Sequence, residues 1–324
     1  MPVKNTGIYL NTCLDSIIEQ SEQDWELLAV DDGSSDESLS TLRQYAHRDE
    51  RISVLQNKGS GIIDALSLAH SHSSGDYITR MDSDDIMAKS KLSELKNRLI
   101  QIGKAHVAVG LIDYFSGEKL GEGYKKYAAW LNQLTLTENN FSEIYKECVI
   151  PSPCWMIHRD DLNACGAFNS DIYPEDYDLC FRFYQSGYKI AGISKILHHW
   201  RDYPHRTSRN HEHYADNRFL ALKIKYFLKL DYQKNNELIL WGGGKKGKWL
   251  ARKLIDQRIQ FRWVTNNQKK IGKHIYHKLI ESTSRMTTSS PTQIIIAVAN
   301  EDEQQDILRQ LKKFDDDVRA FWFC

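Results

Sequence analysis

The sequence predicts an α/β protein in two units: a larger one on a mostly parallel sheet, and a smaller one that restarts the same alternation near the C-terminal end. Three observations carry this. Extended and helical patterns alternate at short intervals through the first half, which favours helix-on-sheet layers over a bundle or a sandwich. Two strand candidates end in acidic residues, Asp31-Asp32 and the Asp82 to Asp85 cluster, and ligands collect beyond the carboxyl ends of parallel strands. From Glu237 a strand, a glycine-rich turn and a helix begin again, "ELILWGGGKKGKWLARKLIDQ".

Composition bounds the function classes. A length of 324 residues fits two domains, and 41% hydrophobic with 27% charged is ordinary globular composition. Lys plus Arg and Asp plus Glu balance at 43 each, so no global field argues for a nucleic-acid partner. The six cysteines are scattered without a C-x-x-C pair, which fits a reducing cytosol. The longest apolar runs, "IIIAVA" and "VAVGLI", fall far below the roughly 18 residues needed to span a bilayer. "MPVKNTG" has no apolar core for a signal peptide. The expectation is a cytoplasmic chain that can still lie peripherally against the inner face of the membrane.

Each element has its own signal. Leu10, Leu14, Ile17 and Ile18 share one helical face. "WELLAV" follows as an apolar strand ending in Asp31 and Asp32, and Ser34, Ser35 or Asp36 offers the N-cap of the next helix. "RISVLQ" reads as a strand, 60–70 as a short helix and 76–81 as a strand, and Leu92, Leu95, Leu99 and Ile102 stripe the helix after it. A strand near 105–113 precedes "GYKKYAAWLNQL", read as an excursion that could contact a second substrate. In the second unit, "FRWVTNNQKKIG", "TQIIIAVAN", "DEQQDILRQLKKF" and "RAFWFC" supply strand, strand, helix and strand. The polar segment "KLDYQKNNE" is the expected linker, giving domains 1–231 and 232–324.

Three constellations carry chemistry. Asp82, Asp84 and Asp85 crowd three carboxylates into one strand end, and such repulsion calls for a cation or a hydrogen-bond cage. An EF-hand loop fails, because the sixth and twelfth positions from Asp82 are Met87 and Ser93. A helix cap explains one acid and not all three. Magnesium or manganese, held by one or two carboxylates and completed by substrate phosphates, explains the rest. Glu175-Asp176 opens an amphipathic helix, and spacing leaves open whether these acids complement the helix dipole or present a general base. "ILHHWRDYPHRTSRNHEH" gathers His198, His199, Arg201, His205, Arg206 and Arg209, suited to close over a diphosphate. "HEH" lacks the spacing of a helical zinc site.

On these residues the sequence resembles the family-2 glycosyltransferases, inverting enzymes of the GT-A fold. "CLDSIIEQSEQDWELLAVDDGSSDES", "NKGSGIIDALSLAHSHSSGDYITRMDSDDI" and "YPEDYDLCFRFYQSGYKIA" occur in that family's order over roughly residues 1–215. The resemblance implies a GT-A nucleotide-diphospho-sugar transferase fold with a small Rossmann-like extension. It also implies a nucleotide-sugar donor, UDP-linked, a saccharide or lipid-linked acceptor, and a role in bacterial surface polysaccharide or glycan assembly. It implies that Asp32, with Asp31 beside it, meets the donor nucleotide; that Asp82 lies near the ribose and Asp84 at the metal, Mn2+ or Mg2+; and that Asp176 is the catalytic base. His199, Arg201 and Arg206 are implied as donor-phosphate contacts. Family members begin with an apolar strand just before the segment matching "MPVKN", so the expectation is a true start upstream of Met1.

In the second unit Gly242, Gly244 and Gly247 form G-x-G-x-x-G between a strand and a helix, the context of a dinucleotide fingerprint and a possible phosphate loop. Thr265, Asn266 and Asn267 stand where the ribose-binding acid belongs, which argues against NAD and against the alternative of an NAD-dependent oxidoreductase. A nucleotide-sugar-binding regulatory protein is the other alternative, and Asp176 disfavours it.

Overall fold

The computed structural model describes residues 1–117, 120–204, 218–286, 291–314 and 318–324. These fall into two compact units, the first drawn from Met1–Ser142 and Cys148–Asn210, the second from Glu143–Glu147 and His211–Cys324.

The first unit opens with β1 (Pro2–Val3), α1 (Gly7–Ile18), β2 (Leu27–Asp31), α2 (Ser38–Arg48), β3 (Ile52–Gln56) and α3 (Ile62–His72). It continues with β4 (Tyr77–Ile78), β5 (Ile86–Met87), α4 (Lys91–Ile102), β6 (His106–Ser116) and α5 (Glu122–Leu136). β7 (Trp155–His158), α6 (Arg159–Ala164), α7 (Glu175–Gln185) and β8 (Lys189–Asp202) complete it. The helices form where apolar residues recur on one face: Leu10, Leu14 and Ile17 of α1 and Leu92, Leu95 and Leu99 of α4 are all buried.

The expected mostly parallel sheet is two sheets. β1-β2-β3 are parallel, whereas the order β4-β7-β6-β8-β5 is mixed, with only β6 and β8 parallel. The strand expected over 76–81 pairs only at Tyr77 and Ile78. After these the chain turns through the acidic cluster and re-enters the sheet as β5, antiparallel to β8 in the register Ile86↔His199 and Met87↔His198. After that return α4 starts at Lys91, with Ser90 at its N-cap. Between β2 and β4 lies a cavity of about 370 Å³ lined by Leu27, Leu28, Tyr77, Ile78 and Met156. The supposed excursion after β6 is the helix α5, with Ala128, Leu131 and Leu134 buried.

In the second unit α8 (Arg218–Leu230) precedes β9 (Glu237–Trp241), α9 (Lys245–Asp256), β10 (Arg262–Thr265), β11 (His274–Ile275) and β12 (Lys278–Ser282). β13 (Thr292–Ile296), α10 (Glu301–Leu311) and β14 (Val318–Trp322) follow. The strand order is β11-β12-β10-β9-β13-β14, parallel except for the β11–β12 hairpin, and Ile239, Trp241, Val264, Ile294, Ile296 and Ile307 form its core. The boundary expected at 231/232 is displaced. Phe227 of α8 and Tyr145 of the 143–147 segment pack edge-on, with Phe321 and Phe323 against both, so burial of these rings draws both segments into the second unit.

Candidate active site

The turn between β4 and β5 is organised by a residue the motif reading overlooked. Arg80, 6% exposed, donates from Nη2 to Asp82 Oδ1 at 3.0 Å and from Nη1 to Glu175 Oε1 at 2.9 Å. Burial alone would weaken its charge, but Asp82, Glu175 and Asp176 outweigh that and hold the guanidinium firmly protonated. One buried cation thus joins the acidic turn to the first turn of α7. Asp176 accepts the Tyr177 amide at 2.7 Å. Burial, reinforced by the repulsion of Glu175 and only partly countered by Arg80, pushes its carboxyl up from 3.8 to about 7.

Asp84 and Asp85 have different surroundings. Asp84 Oδ2 accepts from the Tyr203 hydroxyl at 2.8 Å, and its carbonyl accepts from Arg201 Nε at 2.7 Å. The Arg201 guanidinium lies over the rings of Tyr9 at 4.6 Å and Phe115 at 4.5 Å, a cation–π arrangement that fixes its plane. Asp85 is fully buried; it accepts from the Arg201 amide at 2.8 Å and meets His198 Nε2 at 3.0 Å. His198 Nδ1 in turn lies 3.2 Å from Lys91 Nζ, which donates to the Pro153 carbonyl at 2.5 Å. An ammonium has no lone pair to offer, so with Lys91 charged Nδ1 is the acceptor and Nε2 the donor to Asp85. Burial lowers the Lys91 pKa, against the pull of nearby Asp85 and Asp82.

His199, set beside Ile86 by the β5–β8 register, pairs through Nδ1 with Asp113 Oδ1 at 2.5 Å. Of the expected pair at the end of β2, Asp31 is 2% exposed and its carboxylate takes the Ser34 amide at 3.3 Å. Asp32 accepts from Lys4 Nζ at 3.0 Å, Asn57 Nδ2 at 2.6 Å and the Gly61 amide at 3.0 Å. Burial opposes its ionisation, yet these donors together hold it below the usual carboxylate range. The loop after β1 reaches the acidic turn through Thr6 Oγ1, which donates to Ser83 Oγ at 3.0 Å. Asp82, Asp84 and Arg201 are therefore tied into one network with Arg80, Glu175, Asp85 and Tyr203; Asp176 adjoins it beside Glu175, His199 pairs with Asp113, and Asp32 follows a strand of the neighbouring sheet. Arg206 lies outside the described residues.

The profile of Glycosyl transferase family 2 matches residues 1–166. The chain belongs to that family. This glycosyltransferase is 40% identical to EpsE of Bacillus subtilis over 239 residues, 71% of its own length and 82% of EpsE. It is 38% identical to glycosyltransferase GlyG of Streptococcus pneumoniae over 62% of its own length and 69% of GlyG. Against glycosyltransferase GlyA of the same organism, the match at 27% identity covers only 30% of GlyA. The crystal structure of TarS 1–349 from S. aureus superimposes with a TM-score of 0.52 at 17% identity, covering 72% of this chain and 65% of that one. The shared fold confirms the α/β GT-A architecture.

Among the described residues of the glycosyltransferase, no three His, Cys, Asp or Glu side chains form a ready-made metal cage. The carboxylates of Asp82 and Asp84 are hard oxygen donors without a thiolate or imidazole between them, a set suited to Mg2+ or Mn2+ completed by phosphate and water. Arg80 was legible only as a basic residue two positions before the acids. Nothing marked Tyr203 or Lys4.

The glycine fingerprint of the second unit has a packing explanation. A Cβ on Gly247 would lie 2.0 Å from the Gly242 carbonyl oxygen, and one on Gly242 would lie 2.6 Å from that of Ala297, at a φ of +136°. Gly244 is exposed with open space around it, and Lys270 Nζ donates to the Gly243 carbonyl at 2.7 Å. At the end of β10, Thr265 is buried and caps the Asn267 amide, and Asn266 takes the Thr283 hydroxyl at 2.5 Å. No carboxylate stands there for a ribose.

Proposed function

We propose that the chain transfers a glycosyl group, with inversion, from a nucleotide-sugar to an acceptor hydroxyl. The observation that carries this reading is the Arg80 bridge, which couples the Asp82–Asp84 turn to Glu175-Asp176. It puts a carboxyl titrating near 7 next to an acidic turn suited to a donor diphosphate, and a general base works best when its pKa lies near the working pH. Asp176 takes the proton of the acceptor hydroxyl as that oxygen forms its bond to the anomeric carbon, and the bond from that carbon to the diphosphate oxygen breaks with its electrons leaving on the nucleoside diphosphate. Asp82 and Asp84 would hold Mg2+ or Mn2+, which neutralises the leaving-group charge when bound. Arg201, pinned between two rings, and His199, oriented by Asp113, present donors to the diphosphate. Asp32 receives the nucleotide. The TarS structure was solved in complex with UDP, and the common fold makes UDP-linked sugars the first donors to test. The acceptor is a saccharide or a lipid-linked glycan of the bacterial surface.

Release of nucleoside diphosphate from a panel of nucleotide-sugars tests the reading. UDP with Mn2+ is expected to raise the melting temperature, a chelator to abolish both the shift and turnover, and Asp84→Asn to lose the metal-dependent shift. Asp176→Asn keeps UDP binding and loses turnover. Stabilisation by NAD but not by UDP with metal refutes the proposal.

A further inference from the structure

Arg80 has a third nitrogen that its ion pairs do not use. Nη1 is committed to Glu175 and Nη2 to Asp82, whereas Nε–H is buried and meets no acceptor among the described residues. Ser152 Oγ, on the loop ahead of β7, is likewise buried and without a hydrogen bond there. Both residues line one small chamber with Asp176, walled on the α7 side by Leu179, Cys180 and Phe183.

Native structures rarely leave buried donors unsatisfied, because the hydration they lose on folding is then returned by nothing. The chamber measures about 10 Å³. A water needs roughly 10–15 Å³ of such space and two to four polar partners, so one water fills it and a sugar ring does not enter. We infer that one ordered water occupies this chamber, bound to Arg80 Nε–H, Ser152 Oγ and the Asp176 carboxyl, and that Ser152 is through it a positioning residue for the base.

The bonding follows from the donors. Arg80 can only donate, so the water oxygen accepts from Nε–H and its own hydrogens remain for Asp176 and Ser152. The charges facing Asp176 are Glu175 and Asp82, which oppose its ionisation, and Arg80, which favours it; the Tyr177 amide adds one hydrogen bond. A water donating to the carboxylate favours the proton-accepting form and holds the group in one orientation. Without the Ser152 hydroxyl the water loses a partner, and Asp176 keeps its proton to higher pH.

The inference rests on Asp176 being the base, and its test separates the two claims. High-resolution crystals of the full chain are expected to show one peak within hydrogen-bond distance of Arg80 Nε and Ser152 Oγ; an empty chamber overturns the inference. Ser152→Ala is expected to move the acidic limb of the kcat profile upward by on the order of one pH unit, with metal-dependent UDP binding unchanged. Ser152→Thr, which keeps the hydroxyl, brings the limb back. A Ser152→Ala profile that overlays the native one overturns the positioning role, and Ser152→Cys carries the same prediction if the alanine variant does not fold. Turnover retained in Asp176→Asn counts against the base alone, since the water peak is read independently.

Discussion

At the scale of single residues, the acids of the turn divide by environment. Asp85 is a fully buried carboxylate held by the Arg201 amide and His198, and removing one partner from such a set costs about 3–5 kcal/mol. Asp85→Ala is expected to lower the unfolding free energy by about 3 kcal/mol in urea titrations. Asp176 behaves in the opposite way. Its carboxyl titrates near 7 in the folded chain against an ordinary 3.8, so the folded state holds the proton longer and stability declines as pH rises across that interval. Asp176→Asn is expected to be more stable than the native chain at pH 8, with the gap closing as the pH is lowered to 4; equal melting curves at both pH values would contradict the burial of this group. The same titration sets the rate, and kcat is expected to rise with pH through about 7 as Asp176 loses its proton.

Between elements, Arg80 is the shared cation of the β4–β5 turn and α7. Arg80→Gln leaves Asp82, Glu175 and Asp176 facing one another, and it is expected to destabilise by about 3 kcal/mol at pH 8 and by less at pH 5, where the carboxyls can protonate. Calorimetry at the two pH values checks the difference. A second junction is steric: a Cβ on Gly192 of β8 would lie 2.1 Å from the Thr135 carbonyl oxygen of α5. Gly192→Ala therefore forces the helix and the sheet apart, an overpacking cost of about 1–3 kcal/mol, measurable as a lowered denaturation midpoint. Neither junction was legible in the sequence, because periodicity describes the face an element buries and not the atom that lands on it. Helix stripes such as Leu92, Leu95 and Leu99 were legible because burial repeats with the helical turn. The end of the strand after Ile78 was not, since only the return of β5 onto β8 reveals that the chain leaves the sheet. Asp82, Asp84 and Asp176 stood out as clustered charge, whereas Ser152 and Tyr203 acquire meaning only from neighbours remote in sequence.

For the whole molecule, the second unit takes in all of α8 together with a five-residue segment borrowed from the middle of the chain, Glu143–Glu147. Tyr145 stacks on Phe323 with ring centroids 5.4 Å apart, and its hydroxyl donates to Asp231 at 2.7 Å. A fragment beginning at residue 232 lacks Tyr145 and Phe227, and its Phe321 and Phe323 lose the aromatic partners that cover them. Such a fragment is expected to show no cooperative unfolding transition, whereas the intact chain does; a sharp transition from the fragment would restore the linker at 232. The glycine-rich turn of this unit has a wider consequence. Because the spacing from Gly242 to Gly247 is enforced by a carbonyl pressed against the next helix, the signature would survive in a protein with nothing to bind there. A match to it reports crowding whether or not there is cargo, and the residue that follows β10 is the more informative letter.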